Sequence, residues 1–217
     1  MDTNAIRVLI ADDHEVVADG LSHLLRAHDD IEVVGIARSG REAVRLAIEL
    51  GPDVVVMDSE MRDLNGNEAT RLLRERSHPA RVVTLSVHSE LVHVVRALRA
   101  GAVGYVPKRS AGRDVVEAIR TVHAGKRYLH PTVAQDAIER LAEVDAAEDP
   151  LARLSSRERQ ALQLIAEGKS VAEIAAALSL SSRTVETYRA RMMEKLEITD
   201  MAALIKFAIR HGLTSLE

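Results

Sequence analysis

Three aspartates raise the first chemical question. The segment from Arg7 to Val17 reads RVLIADDHEVV, so an apolar run from Val8 to Ala11 ends in two adjacent carboxylates, Asp12 and Asp13. A third acid, Asp58, closes a second such run, DVVVMD. Like charges held close together repel, and removing them from water is costly unless a cation sits between them. Taken one at a time, acids at strand ends also solvate loops or cap helices. Three that converge need a different explanation, and convergence depends on the elements that carry them.

Those elements are legible in the first half of the chain. Short β-branched runs, IRVLIA (6–11), EVVGIA (32–37), DVVVMD (53–58), RVVTLS (81–86) and VGYVP (103–107), alternate with segments of helical apolar spacing such as Val16, Leu21, Leu24 and Leu25. Five strands, each followed by a helix, predict a parallel sheet covered on both faces. Right-handed crossovers fit the doubly wound, flavodoxin-like order 2-1-3-4-5. In that order strands 1 and 3 are neighbours and ligands bind outside the strands' carboxyl ends, so Asp12, Asp13 and Asp58 meet at one crevice. An all-oxygen donor set of this kind suits Mg²⁺.

Composition bounds the rest. A chain of 217 residues makes one large or two small domains, and with only 2% aromatics its cores must be aliphatic. The absence of cysteine excludes disulfides and thiolate zinc sites, and the nine histidines contain no HExxH pair. No stretch approaches a membrane span, and the start, MDTNAIRVLIADD, has an acid where a secretion signal needs bases, so a soluble cytoplasmic protein is expected. Net charge is −1 over residues 1–127, −5 over 128–150 and +2 over 151–217. The middle piece reads as an acidic, partly helical linker ending at Pro150, which divides the chain into domains 1–127 and 151–217.

Beyond residue 150 the pattern is helical throughout. Ser155 with Glu158, and Ser170 with Glu173, form capping boxes, Gly168 stops the first helix, and Thr199 is expected to cap the last, which Gly212 closes. A short SLS turn joins SVAEIAAAL to SRTVETYRARMMEKL, which predicts a helix-turn-helix within a four-helix unit. On a helical wheel Val185, Tyr188, Met192 and Leu196 form the core stripe. Arg183, Glu186, Thr187, Ala190, Arg191 and Glu194 face outward, with Thr184 and Lys195 on a flank. Small side chains and arginines on an outer face suit a DNA major groove, although mixed charge on a helix is also the ordinary pattern of a solvated surface.

With these residues placed, the chain resembles a two-component response regulator of the NarL/FixJ family, with a CheY-like receiver joined to a LuxR-type helix-turn-helix domain. The resemblance implies that ADDH is the acidic pair and that Asp58 is the phosphoacceptor for a sensor histidine kinase. It implies a Mg²⁺ ion on Asp13, Asp58 and the Glu60 carbonyl, with Asp12 acting through water. Ser86 in VVTLSVH and Tyr105 in AGAVGYVPK match the switch residues, and Lys108 matches the phosphoryl-binding lysine. Arg62 and Pro107 depart from the common pattern, which has a proline in place of Arg62 and a proline after the lysine. Glu186 stands where relatives often carry a base.

In the second half, LSSRERQALQLIAEGKSVAEIAAALSLSSRTVETYRARMMEKLEI follows the LuxR-type pattern. Glu186, Thr187 and Arg191 are expected at base edges, and Arg183, Thr184 and Lys195 at phosphates of double-stranded DNA. Tight binding calls for a homodimer on two half-sites; the stripe Ala203, Leu204, Phe207 and Ala208 offers one surface for it, or packs at least in part inside its own domain. The resemblance implies no turnover enzyme, at most slow self-phosphorylation and self-dephosphorylation. Two alternatives stay open: a regulator of the same fold that works without phosphate, and a Mg²⁺-dependent phosphatase using Glu60 as the second acid two residues after its nucleophile.

Overall fold

Valine and isoleucine runs without interleaved polar residues can satisfy their backbone only in a sheet and their side chains only between two layers. The computed structural model, which describes residues 5–110, 112–134 and 150–214, builds that arrangement. Its elements run β1 (Ile6–Ala11), α1 (Glu15–Arg26), β2 (Ile31–Ala37), α2 (Gly40–Leu50), β3 (Val54–Asp58), α3 (Gly66–Glu75), β4 (Arg81–Ser86), α4 (Leu91–Ala100), β5 (Gly104–Pro107), α5 (Gly112–His123) and β6 (Tyr128–Leu129). All neighbouring strands are parallel, in the order β2-β1-β3-β4-β5-β6.

The expected order is therefore present with one addition. The sheet has six strands rather than five, because Tyr128 and Leu129 pair with Gly104 and Tyr105. Two residues are too short to show a period, and the acidic linker was expected to begin where this strand lies. Residues 131–134 then form a helical turn, and the remainder of the expected linker, 135–149, lies outside the described residues.

Alternation decides which layer each side chain joins. Val8, Ile10, Val54, Val56, Val83, Leu85 and Val106 pack with Ala18, Leu21 and Leu25 of α1 and Val115, Ile119 and Val122 of α5. Leu9, Val55 and Met57 point to the other face, which α2, α3 and α4 cover. Each such side chain contributes roughly 2 kcal/mol by leaving water. The register then sets the site: Ala11 lies opposite Met57, Asp58 opposite Leu85, and Ser86 opposite Pro107. The four central strands thus end level with one another, at a common carboxyl rim.

The helical unit opens with a 3₁₀ turn, Pro150–Arg153, followed by α6 (Ser156–Ala166), α7 (Val171–Leu178), α8 (Ser182–Leu196) and α9 (Met201–Arg210). Each helix begins at a polar cap. The Ser155 and Ser170 side chains accept from the backbone N–H groups of Glu158 and Glu173, completing both capping boxes. Ser181 caps α8 by accepting from Thr184 N. For α9 the cap is Asp200, which accepts from Ala203 N at 2.8 Å, and not the expected Thr199. A carboxylate adds a charge-dipole attraction that a threonine hydroxyl lacks.

The core of this unit is Leu154, Leu162, Leu164, Ile174, Leu178, Val185, Met192, Leu204 and Ala208. Buried Arg159 ties the 3₁₀ turn to α6 by donating to the carbonyls of Leu151 and Leu154. Leu204 and Ala208 are thus filled into their own domain, and Phe207 packs against the same core. This is the alternative in which the α9 stripe packs in part inside its own domain; Ala203 and Phe207 stay partly exposed.

Candidate functional site

The rim of the sheet brings the three aspartates together. Asp12 and Asp58 are each about 1% exposed, and Asp13 lies beside them, partly exposed. Lys108, the first residue after β5, sets its Nζ 2.6 Å from Asp58 Oδ2 and 2.9 Å from Asp12 Oδ2. Its backbone N donates to Ser86 O at 2.7 Å, so strand pairing carries on through the lysine itself. Pro107 is accommodated as the last residue of β5, with no cis peptide among the described residues.

Electrostatics follow from that geometry. Burial is the strongest influence on Asp58 and pushes its carboxyl up. Lys108 pulls it down and Asp12 pushes it up again, leaving it at about 7. For Lys108 burial works against the charge, yet Asp58 and Asp12 outweigh it and raise the ammonium above its ordinary value. A single ammonium thus bridges the two buried carboxylates.

His14 also faces this cluster, and the sequence reading overlooked it. Its Nδ1 lies 3.1 Å from both Asp12 Oδ1 and Asp13 Oδ1 and 3.8 Å from Asp58 Oδ2. The imidazole, 64% exposed, stands on the solvent side of these carboxylates. The signal was available, since His14 directly follows the acidic pair.

Donor atoms from Asp12, Asp13, His14 and Asp58 lie within 4.8 Å of one another. A compact set of carboxylate oxygens with a single neighbouring ammonium fits a small divalent ion. Glu60 N donates to Asp58 Oδ1 at 3.2 Å, which folds the loop after β3 around the acceptor. The Glu60 carboxylate is turned to His88, Oε1 to Nε2 2.8 Å, so it already has a partner other than a substrate proton. Arg62 is exposed on the same loop.

A glycine completes the cradle. A Cβ at Gly66, the first residue of α3, would come 1.9 Å from the Asp58 carbonyl oxygen. Only glycine lets α3 start this close to the end of β3.

The remaining rim residues form a hydrogen-bonded chain away from Asp58. The Ser59 hydroxyl donates to Ser86 Oγ at 2.9 Å, and Ser86 Oγ also accepts from His88 N at 3.1 Å. Tyr105 is buried and turned inward, its hydroxyl donating to His88 O at 2.8 Å; burial pushes that phenol up to about 12. Ser59 and His88 were not singled out in the sequence. Each occupies a strand-end loop, where local pattern carries no information about contacts across strands.

On α8 the expected outward face is outward. Arg183, Glu186, Thr187, Ala190, Arg191 and Glu194 are exposed, Val185 and Met192 buried, Tyr188 and Leu196 between. Several of these side chains already have partners. Glu186 pairs with Arg189 at 2.9 Å, Thr187 donates to Arg183 O at 2.9 Å, and Thr184 Oγ1 lies 2.8 Å from Ser181 Oγ. Lys195 places its Nζ 2.7 and 3.0 Å from the two oxygens of Glu158, the buried capping-box acid of α6. Burial alone would raise the Glu158 carboxyl, but Lys195 and Ser155 hold it below the usual carboxylate range.

Comparison with known proteins agrees with both halves. Residues 8–120 match the family described as response regulator receiver domain, and residues 152–208 match bacterial regulatory proteins, luxR family. The chain is 40% identical over 212 residues to response regulator UvrY of Escherichia coli K12, covering 98% of this chain and 97% of that one. It is 43% identical over 209 residues to response regulator GacA of Pseudomonas viridiflava, covering 96% and 97%.

Among solved structures, response regulator ChrA of a heme-sensing two-component system is similar, with TM-score 0.54 and 32% identity over 97% of this chain and 99% of that one. So is response regulator RcsB in complex with DNA, with TM-score 0.58 and 25% identity over 94% and 98%. The chain belongs to the NarL/FixJ family of two-component response regulators, and it is a transcriptional regulator built from a receiver and a LuxR-type DNA-binding domain. No described helix is long and apolar enough to cross a membrane.

Proposed function

We propose that Asp58 is the residue through which this regulator receives its signal. A carboxylate oxygen of Asp58 attacks the phosphorus of a phosphohistidine on a sensor histidine kinase. The new O–P bond forms as the N–P bond breaks and the imidazole departs. Such a transfer needs mainly positioning and charge stabilisation. The supporting observation is the placement of Lys108 Nζ at 2.6 Å from Asp58 and 2.9 Å from Asp12, an ammonium fixed where phosphoryl oxygens arrive. Asp13, Asp58 and the Glu60 carbonyl, with Asp12 through water, would hold Mg²⁺, which supplies the charge neutralisation that one lysine cannot.

The phosphoryl group adds negative charge and three acceptor oxygens next to Ser59 and Ser86. In this reading the Ser86 hydroxyl exchanges its bonds to Ser59 and His88 for one to the phosphoryl group. That loosens the segment whose carbonyl holds Tyr105. The altered face of α4, β5 and α5 then favours a homodimer on paired DNA half-sites. Arg191, Glu186 and Thr187 read base edges, and Arg183, Thr184 and Lys195 contact phosphates, Lys195 at the expense of its bond to Glu158. The protein turns over no substrate beyond its own acyl phosphate.

Incubation with Mg²⁺ and acetyl phosphate followed by intact-mass measurement tests the central step. A mass gain of one phosphoryl group that Asp58→Asn abolishes is the expected result. No gain in the wild-type chain would favour a regulator that works without phosphate.

A further inference from the structure

A second group of donor atoms stands on the segment joining β4 to α4. His88 follows the strand, Glu90 is the cap residue of α4, and His93 lies in the first turn of that helix. Each offers one donor atom, and these lie within 4.8 Å of one another. The two imidazoles stack with centroids 4.1 Å apart and planes 9° from parallel. His88 Nδ1 is 3.7 Å from Glu90 Oε2, while its Nε2 is 2.8 Å from Glu60 Oε1.

With Nε2 donating to the Glu60 carboxylate, a neutral His88 ring has its Nδ1 lone pair on the side of Glu90. A carboxylate behind one ring nitrogen and a free lone pair at the other is how metal-binding imidazoles are oriented. Two imidazoles and one carboxylate favour zinc-like ions over Mg²⁺. Tetrahedral zinc needs its donors about 3.4 Å apart, so rotations that move these atoms by about 1 Å close the set. Glu90 is exposed, and His88 and His93 are partly exposed.

We propose that His88, Glu90 and His93 form a site for a divalent transition-metal ion of the zinc type, with one coordination position open and Glu60 orienting His88. The site adjoins the acceptor loop without sharing a donor atom with it. An ion there would also hold His88, whose backbone N donates to Ser86 Oγ and whose carbonyl accepts from Tyr105. Metal binding would then restrain the segment that phosphorylation has to move. This coupling rests on the switch roles proposed above for Ser86 and Tyr105; the binding itself does not.

Calorimetric titration of the full-length chain with Zn²⁺, with Mg²⁺ in large excess, tests the site. One equivalent should bind. His93→Gln and Glu90→Gln should each weaken it by about 100-fold, and Glu60→Gln by about tenfold. His14→Gln, at the acidic rim, should leave it unchanged. Two surface substitutions are included so that one misfolded variant, detected by its melting curve, leaves the other to decide. Absence of binding, or binding lost in His14→Gln and kept in His93→Gln, overturns the site.

Acetyl phosphate labelling with and without Zn²⁺ tests the coupling, which predicts a rate change in the wild type and none in His93→Gln. Equal rates overturn the coupling alone. No labelling in any sample removes the phosphoacceptor reading, and with it the coupling, while the Zn²⁺ isotherm still judges the site.

Discussion

At the rim of the sheet, Asp12 and Asp58 are almost fully withdrawn from water, Lys108 is partly so, and strand register sets the positions from which they meet. On α8, Arg183 and Arg191 are exposed, and the helix sets where their side chains start. Charges of the first kind interact strongly because little water screens them, and they are badly off when a partner is missing. Charges of the second kind are worth little to the fold, typically less than about 1 kcal/mol a pair, and are free to be spent on DNA. The receiver rim is a place where geometry makes the chemistry. The recognition face is one where the fold supplies a scaffold and the ligand decides the energetics.

Substitutions at the rim should therefore cost more than those on the helix face. Gly66→Ala directs a methyl group at the Asp58 carbonyl, a backbone atom that cannot step aside. A loss of about 3 kcal/mol in urea unfolding is expected. A loss below about 1 kcal/mol would show that the cradle yields more easily than described.

Asp58→Asn should act in the opposite direction. The folded carboxyl titrates at about 7 against 3.8 ordinarily, so between these values the native state binds the proton that the unfolded state has lost. Asp58 thus costs stability progressively as pH rises from about 4 to about 7, and the cost persists above that range. In chelator, Asp58→Asn should be more stable than wild type by roughly 2 kcal/mol near pH 8, with the difference shrinking toward pH 4. A pH-independent difference contradicts the assignment.

Glu158→Ala should have an intermediate effect, because it removes the carboxylate that accepts from Ser155 N in the capping box and that pairs with Lys195. About 1.5 kcal/mol should be lost from the helical unit, measured by thermal unfolding. The smallest effects belong to the outward face. Arg191→Ala should cost about 1 kcal/mol at a preferred site and alter sequence preference, whereas Arg183→Ala should weaken all sequences alike and lower the salt slope by about one. Equal losses at every sequence for both would show that neither reads bases.

Much of this was legible before any coordinates. The alternation of β-branched runs with helical spacing placed five strands in order, and Ser155-x-x-Glu158 and Ser170-x-x-Glu173 marked two helix starts. The wheel for α8 separated buried Val185 and Met192 from exposed Arg183 and Arg191. What escaped was short or cross-chain. Tyr128–Leu129 is too brief to carry a period, and Asp200 outcompetes Thr199 as a cap by a difference of one position. His14, Ser59 and His88 matter only because of what faces them from other strands.

The sequence by itself determined which segments are strands, which are helices and where most helices begin, because periodicity and capping are satisfied within a few residues of chain. Tertiary structure decided that Lys108 reaches Asp58 across 50 positions, that His14 faces the carboxylates, and that Lys195 is engaged by Glu158. Coulomb and desolvation energies depend on distance and burial, and neither is set until strand register and helix packing have fixed both.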